Sequence, residues 1–205
     1  MTDSGCFIAI EGLDGSGGTT QVGRLVTAVG ALRHEVVRTR EPTPGPVGTL
    51  IRAALGANTP ASSLGDGVLP FLFAADRQDH LDRLIGPALA RGAVVITDRY
   101  VPSSLAYQGM SIGVEAAFAL NASFRAPHLT VVLEVPPDEC MRRIEARGEA
   151  RERFEDRERL ALVRAAYTDG LALLEARGDH IVRVDGTLPI DVLAELIWGH
   201  AAQLL

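Results

Sequence analysis

The apolar positions of the chain fall into two alternating periods. Runs of strand length recur at Phe7-Ile8-Ala9-Ile10, Glu35-Val36-Val37-Arg38, Ala93-Val94-Val95-Ile96, Leu129-Thr130-Val131-Val132-Leu133-Glu134-Val135 and Ile181-Val182-Arg183-Val184. Short, nearly continuous runs rich in Val and Ile read as strands buried on both faces. Between them the period lengthens to that of a helix. Thr19 to Leu32 carries Val22, Leu25, Val26 and Val29 on one face, and Leu81 to Arg91 carries Leu81, Leu84, Ile85 and Leu89. Residues 155–176 carry Leu160, Val163, Tyr167, Leu171 and Leu174, and residues 189–204 carry Val192, Leu193, Leu196 and Ile197. Strands alternating with helices predict parallel pairing, hence an α/β sheet with helices on both faces. No internal repeat or low-complexity linker breaks the pattern, so residues 1–205 are expected to form a single domain.

Composition removes several function classes. The net charge of -6 argues against a general nucleic-acid binder, which needs a basic face. The longest charge-free stretch, residues 100–114, is 15 long and contains Pro, Ser, Gln and Gly. A membrane span needs about 20 mostly apolar residues, so no membrane association is expected. The N-terminal residues lack the basic and apolar regions of a secretory signal. Cys6 and Cys140 are far apart and read as free thiols in a reducing cytoplasm. All 20 basic residues are arginine, and there is no lysine. That excludes Schiff-base chemistry and a lysine general base.

The first strand runs into Gly12-Leu13-Asp14-Gly15-Ser16-Gly17-Gly18-Thr19-Thr20. Against the phosphate-loop pattern G-x-x-x-x-G-K-[ST], Gly12, Gly17 and Thr19 match, and Gly18 stands where the lysine belongs. Glycines let successive backbone N–H groups turn inward around a phosphate, and the following helix N-terminus adds partial positive charge. Thr19 offers a hydroxyl to Mg²⁺. Compositional drift toward arginine does not explain Gly18, because arginine would keep the charge. Either the site has lost catalysis or another cation replaces the lysine.

Further chemistry accompanies the loop. Thr97-Asp98-Arg99-Tyr100 closes the third strand, and Ser103-Ser104-Leu105-Ala106-Tyr107-Gln108 follows. Asp98 at the C-terminal end of a strand lies on the ligand edge of such a sheet, where it can hold Mg²⁺ opposite Thr19. Arg99 beside it can fork a phosphate. Phe73 and Arg77 are spaced i, i+4 on a helical pattern, which by itself reads either as a core Phe beside a solvated Arg or as a plane and a donor fork suited to a base. Arg147, Arg151 and Arg153, interrupted by Gly148 and nearly balanced by acidic residues, read by themselves either as a solvated charged linker or as a loop that closes over phosphates.

Taken together, I-E-G-L-D-G-S-G at 10–17, T-R-E-P at 39–42, L-F-A-A-D-R at 72–77 and D-R-Y-x-x-S-S-x-A-Y-Q at 98–108 resemble bacterial thymidylate kinase, one of the P-loop nucleoside-monophosphate kinases. The resemblance implies a five-stranded parallel sheet, an arginine-rich LID at about 147–155, and a homodimer. It implies ATP as phosphoryl donor, dTMP as acceptor and Mg²⁺ as cofactor. By the same resemblance Gly12, Gly15, Ser16, Gly17, Gly18, Thr19, Thr20 and Arg147 face the ATP phosphates, and Thr19 and Asp98 serve the metal. Phe73 stacks on thymine and Arg77 bonds it. Ser104 lies near the N3 edge of the base, with Ser103 and Gln108 in the same pocket. Tyr107 lies against the sugar. Arg40 and Arg99 hold the dTMP phosphate, and Asp14 sits near the transfer site. Gly15 stands where some members of the family carry an arginine. Arg151, then Arg153, are the first candidates for the missing cation. Two other readings use the same residues: a nucleotide-binding relative with little or no transfer, and a kinase for another nucleoside monophosphate.

Overall fold

The structure, a computed structural model, describes residues 5–56, 59–147 and 157–205, apart from the side chain of Arg147. Its centre is a five-stranded sheet in the order β2-β3-β1-β4-β5. The strands are β1 (Cys6–Gly12), β2 (Val36–Arg40), β3 (Val94–Asp98), β4 (Leu129–Glu134) and β5 (Ile181–Asp185). Every neighbouring pair is parallel. β1 is buried along its whole length, and its period of two divides the core. Cys6, Ile8 and Ile10 pack with Val22, Leu25 and Val29 of α1 (Gly18–Ala31) and with Leu193, Ile197 and Ala201 of α10 (Ile190–Ala201). Phe7 and Ala9 point the other way, toward Ile85, Ala88, Leu89, Tyr100 and Leu105. Alternate side chains of one central strand thus seed both helical layers.

All five predicted strands are present. Strand ends shift by one or two residues, and the shift that bears on the site is that Thr39 and Arg40, which follow the run read as the second strand, belong to β2. The reason is pairing, because β3 continues to Asp98 and Arg40 lies opposite it in register. The Leu81–Arg91 pattern is the end of a longer helical run. α3 (Leu69–His80) passes through a π turn at Leu81–Ile85 into α4 (Gly86–Ala90). The segment after β3 is also helical: α5 (Val101–Ser103), a π turn at Ser104–Gln108, α6 (Gly109–Ile112) and α7 (Val114–Asn121). α2 (Pro46–Leu55) and α8 (Pro137–Arg147) each begin on a proline, whose fixed φ suits a first turn. α9 (Arg157–Arg177) lies against the π turn that holds the Ser-Ser-x-x-Tyr-Gln motif. Such π turns recur at functional sites.

Candidate active site

The C-terminal ends of β1, β2 and β3 open into a cleft of about 1560 Å³. It is lined by residues 11–21, by Arg40, Asp98 and Arg99, by Glu139, Arg142 and Arg143 of α8, and by Gly186 to Leu188 after β5. This is the expected position for a ligand on an open parallel sheet.

The glycine loop folds as its pattern requires. Ser16 N–H bonds Leu13 O at 3.0 Å, and Gly17, at φ 95, starts α1. Gly15 holds φ +82, and a Cβ there would lie 2.6 Å from the carbonyl oxygen of Cys140 in α8. The loop therefore rests directly on the helix backbone, and no side chain fits at position 15. Gly15→Arg is expected to cost about 2–4 kcal/mol through strain and displacement of α8. That corresponds to roughly 5–15 °C in Tm. A thermal melt of the variant within 2 °C of the parent would contradict this packing.

Gly18 is different. Its φ is not in the left-handed range, and a Cβ would meet only Asp98 Oδ1 at 3.4 Å and Ile10 Cγ2 at 4.0 Å. Neither backbone conformation nor crowding at the root demands glycine there. Beside it, Thr19 Oγ1 donates to Asp98 Oδ2 at 2.6 Å. A hydroxyl and a carboxylate side by side are hard oxygen donors suited to Mg²⁺. The described residues hold no cluster of three or more His, Cys, Asp or Glu groups. Mg²⁺ in phosphoryl-transfer sites needs only one or two protein oxygens and completes its shell with phosphates and water.

On the α8 side, Arg143 ties three segments together. Its Nη1 donates to Ser16 O at 3.2 Å, its Nη2 to Gly186 O at 3.1 Å and its Nε to Glu139 Oε1 at 2.7 Å. Hydrogen bonds from Arg142 and then Arg143 pull the Glu139 carboxyl down to about 2.

Across the cleft, Arg99 sits in the left-handed region at φ 72. Strain of this kind gathers at functional sites and needs surrounding bonds to hold it. Here its own N–H bonds Ile10 O at 3.0 Å, and the next N–H, of Tyr100, bonds Glu11 Oε1 at 2.6 Å. The guanidinium contacts Asp14 Oδ1 at 2.5 Å and lies 5.1 Å from the centre of the Tyr107 ring. Tyr107 OH in turn donates to Asp14 Oδ2 at 2.9 Å. Burial works against the charge of Arg99. Tyr107, Asp14, Tyr167 and Glu11 outweigh it and hold the pKa well above the ordinary arginine value. Burial pushes the Glu11 carboxyl up, with Arg99 and the surrounding donors opposing.

Deeper in, Arg77 is 1% exposed. It bonds Glu41 Oε2 through Nη2 at 2.6 Å and Nε at 3.0 Å, and it also bonds Asn121 Oδ1. Its Nη2 reaches Ser104 Oγ at 3.0 Å, so Arg77 and Ser104, predicted for the same base pocket, do meet. The aromatic planes near its guanidinium are Tyr100 at 4.9 Å and Phe124 at 5.7 Å. Phe73 is half-buried on the same helix. Gln108 keeps a buried carbonyl oxygen with no donor among the described residues, as does Gln21. Arg40 is exposed at the end of β2 and lines the cleft. Ser16 lies in the glycine loop and Thr20 in the first turn of α1, and both line the cleft. Arg147 is the last residue of α8, and Arg151 and Arg153 lie outside the described residues.

The thymidylate kinase family model matches residues 10–197, nearly the whole chain. The chain belongs to the thymidylate kinase family. It is similar to the thymidylate kinase of Xanthomonas campestris pv. campestris (strain B100), 41% identical over 183 residues, which cover 89% of this chain and 77% of that one. It is equally similar to the probable thymidylate kinase of Pyrobaculum calidifontis, 41% identical over 191 residues and 92% of each chain. It is therefore a phosphotransferase of the nucleoside-monophosphate-kinase class.

Several polar residues around this thymidylate kinase cleft escaped the sequence reading. Glu41 and Asn121 surround Arg77. Glu11 and Tyr167 surround Arg99, and Arg143 braces the glycine loop. Tyr167 was read as one more apolar position on its helix. Its hydroxyl, set between Val163 and Leu171, was the available signal.

Proposed function

We propose that the protein transfers the γ-phosphoryl group of ATP to dTMP, with Mg²⁺, giving ADP and dTDP. The observation that carries this reading is the composition of one cleft wall. The glycine loop, the Thr19–Asp98 pair and the Arg99–Asp14 pair follow one another along the ends of β1 and β3. Donor phosphates would rest on the N–H groups of residues 15–20 and on the start of α1. The acceptor phosphate would meet Arg99 and Arg40. Asp14 would lie between them, near the transferring group. Mg²⁺ held by Thr19 and Asp98 would neutralise charge on the transferring phosphate. Arg77, Ser104 and Gln108 form the base end, with Phe73 as its stacking plane and Ser103 and Tyr107 toward the sugar. The orphan oxygen of Gln108 is an acceptor awaiting a donor, and the N3–H of thymine is such a group. Buried polar partners of this kind reject bases that leave them unpaired.

A coupled assay of ADP release with dTMP, dUMP, dCMP and dGMP, with and without EDTA, tests the reading. Turnover is expected with dTMP and is expected to vanish on chelation. Saturable dTMP binding without turnover would replace the proposal with a nucleotide-binding relative. Turnover only with another nucleotide would change the substrate.

The missing lysine charge is assigned to the arginines of residues 147–153, with Arg151 first and Arg153 second. Position 18 has room for a side chain, so the glycine need not reflect packing. Arg151→Ala is expected to lower kcat by about 10²-fold or more, since an arginine on the transferring phosphoryl group is worth about 10³–10⁵. Gly18→Lys is expected to change kcat by less than about threefold. A gain of orders of magnitude from that lysine would show that no full substitute exists. A homodimer in a cytoplasmic setting completes the proposal. Phe71 on α3 stays 61% exposed, an apolar side chain that a partner copy would cover. Light scattering is expected to give twice 21.8 kDa.

A further inference from the structure

Behind the glycine loop, Glu11 and Tyr167, assigned no role above, join Ser103 and Arg99 in a closed knot of polar groups. Glu11, next to last in β1, is 1% exposed. Its Oε1 accepts from the backbone N–H of Tyr100 at 2.6 Å and of Ser103 at 3.4 Å. Its Oε2 accepts from Ser103 Oγ at 2.7 Å and from Tyr167 OH at 2.9 Å. A serine or tyrosine hydroxyl has one proton to give. The two hydroxyls also lie 2.8 Å apart, and Tyr167 OH lies 3.1 Å from Gly12 O. The carboxylate, as the charged acceptor, has the strongest claim on both protons, which leaves lone pairs of both oxygens to turn elsewhere. What they meet is Nη1 of Arg99, at 3.0 Å from Ser103 Oγ and 3.4 Å from Tyr167 OH. The same Nη1 also donates to Gly12 O at 3.0 Å.

An arginine has five N–H donors in a rigid fork. In Arg99 the two on Nη1 are spent on Gly12 O and on the two hydroxyls, and one on Nη2 is spent on Asp14. The second N–H of Nη2 and the N–H of Nε have no partner among the described residues. The knot therefore decides which edge of the guanidinium is used up internally and which is left for a ligand.

We propose that Glu11 and Tyr167 are positioning residues that fix the orientation of the Arg99 guanidinium and so present its Nη2–Nε edge to the phosphate of the acceptor nucleotide. This rests on Arg99 as the holder of that phosphate. Glu11 acts through the two hydroxyls. Tyr167 acts from α9, the helix that follows the arginine-rich segment.

The test is steady-state kinetics and calorimetric dTMP binding for Tyr167→Phe and Glu11→Gln, each in the parent and in Arg99→Lys and Arg99→Ala backgrounds. Tyr167→Phe deletes one oxygen and keeps the ring. Glu11→Gln replaces an acceptor by a group that also donates, which frustrates the hydroxyl protons. In the parent background each is expected to raise KM and Kd for dTMP about tenfold while KM for ATP stays within about twofold. In the Arg99→Lys and Arg99→Ala backgrounds neither is expected to have a further effect on dTMP, because lysine has no edge to orient and alanine has no charge. An unchanged KM for dTMP in both variants overturns the proposal. So does an equal loss for dTMP and ATP, or a tenfold loss that persists without Arg99, since either marks a structural role only. If Arg99→Ala itself leaves dTMP binding unchanged, the assignment of Arg99 to the acceptor phosphate fails, a result distinct from failure of the positioning alone. Should Tyr167→Phe fold poorly, the comparison stands on Glu11→Gln, which keeps the volume of the buried side chain.

Discussion

Arg99→Ala is expected to lower kcat/KM for dTMP by about 10³-fold or more, with Tm changed far less than activity. A cation on the transferring or accepting phosphate is worth about 10³–10⁵ in rate in phosphoryl transfer. On the acceptor side Arg40 remains, but it is exposed at the end of β2, where solvent screens its charge and no bonded fork among the described residues holds it against the phosphate. Arg143 is committed to Ser16 O, Gly186 O and Glu139, and Arg77 is sealed in its own pocket. The variant also leaves Asp14 without its 2.5 Å partner, so two negative groups would face each other as dTMP binds. Arg99→Lys is expected to recover only part of the loss, because an ammonium is a point charge and cannot reproduce a fork held by Gly12 O, Ser103 and Asp14. Initial rates across a dTMP titration decide it. A loss below tenfold in Arg99→Ala would remove this residue from the site.

The second large effect concerns stability and binding together. Arg77→Ala is expected to destabilise the fold by about 3–5 kcal/mol, because it strands a buried carboxylate. Glu41 is 5% exposed, accepts twice from Arg77 and also contacts His80 Nδ1 at 3.1 Å. Without the guanidinium, that charge and the Asn121 oxygen lose their partner in a site that solvent does not reach. In a chain of this size the corresponding fall in Tm is roughly 6–20 °C. The double variant Arg77→Met, Glu41→Gln separates stability from function. Removing both charges of a buried pair is often nearly neutral, so Tm is expected to return most of the way. Binding of dTMP is expected to remain weak, because the donor facing Ser104 is gone. Thermal melts beside calorimetric titrations of dTMP read both quantities. Full recovery of binding in the double variant would show that Arg77 serves the fold alone.

How much of this was legible in the residues depends on the range of each interaction. β1 announces itself because Phe7-Ile8-Ala9-Ile10 is apolar on both faces. The glycine loop is readable because its function lies in local backbone freedom at Gly12, Gly15 and Gly17. The helix face of Val22, Leu25 and Val29 follows from period alone, and all three residues pack against the sheet as that period requires. Asp98 and Thr19 were paired on paper by the rule that ligands bind at strand ends, and in the structure they touch. The helices at Pro46–Leu55 and Val114–Asn121 were not legible. They are only 10 and 8 residues long, and helices this short gain stability from tertiary packing more than from their own pattern. The end of β2 was also misjudged, since a strand stops where its neighbour stops, and that neighbour lies more than 50 residues away in the chain.

The sequence by itself determined the five strand runs, their parallel pairing, the phosphate loop and the absence of any lysine. These follow from hydrophobic period, glycine spacing and composition, which act between near neighbours or not at all. The order of the strands came from the structure. Only the tertiary structure decided the partners of the buried charges. Glu11 meets Tyr167 across 156 positions, Arg77 meets Glu41 across 36, and Arg143 meets Ser16 across 127. A buried charge takes whichever complementary group the packing of distant elements brings within hydrogen-bond reach, and no local pattern encodes that choice. The same holds for Gly15 and Gly18. They look alike in the sequence, but α8 presses a carbonyl against the first and leaves the second open.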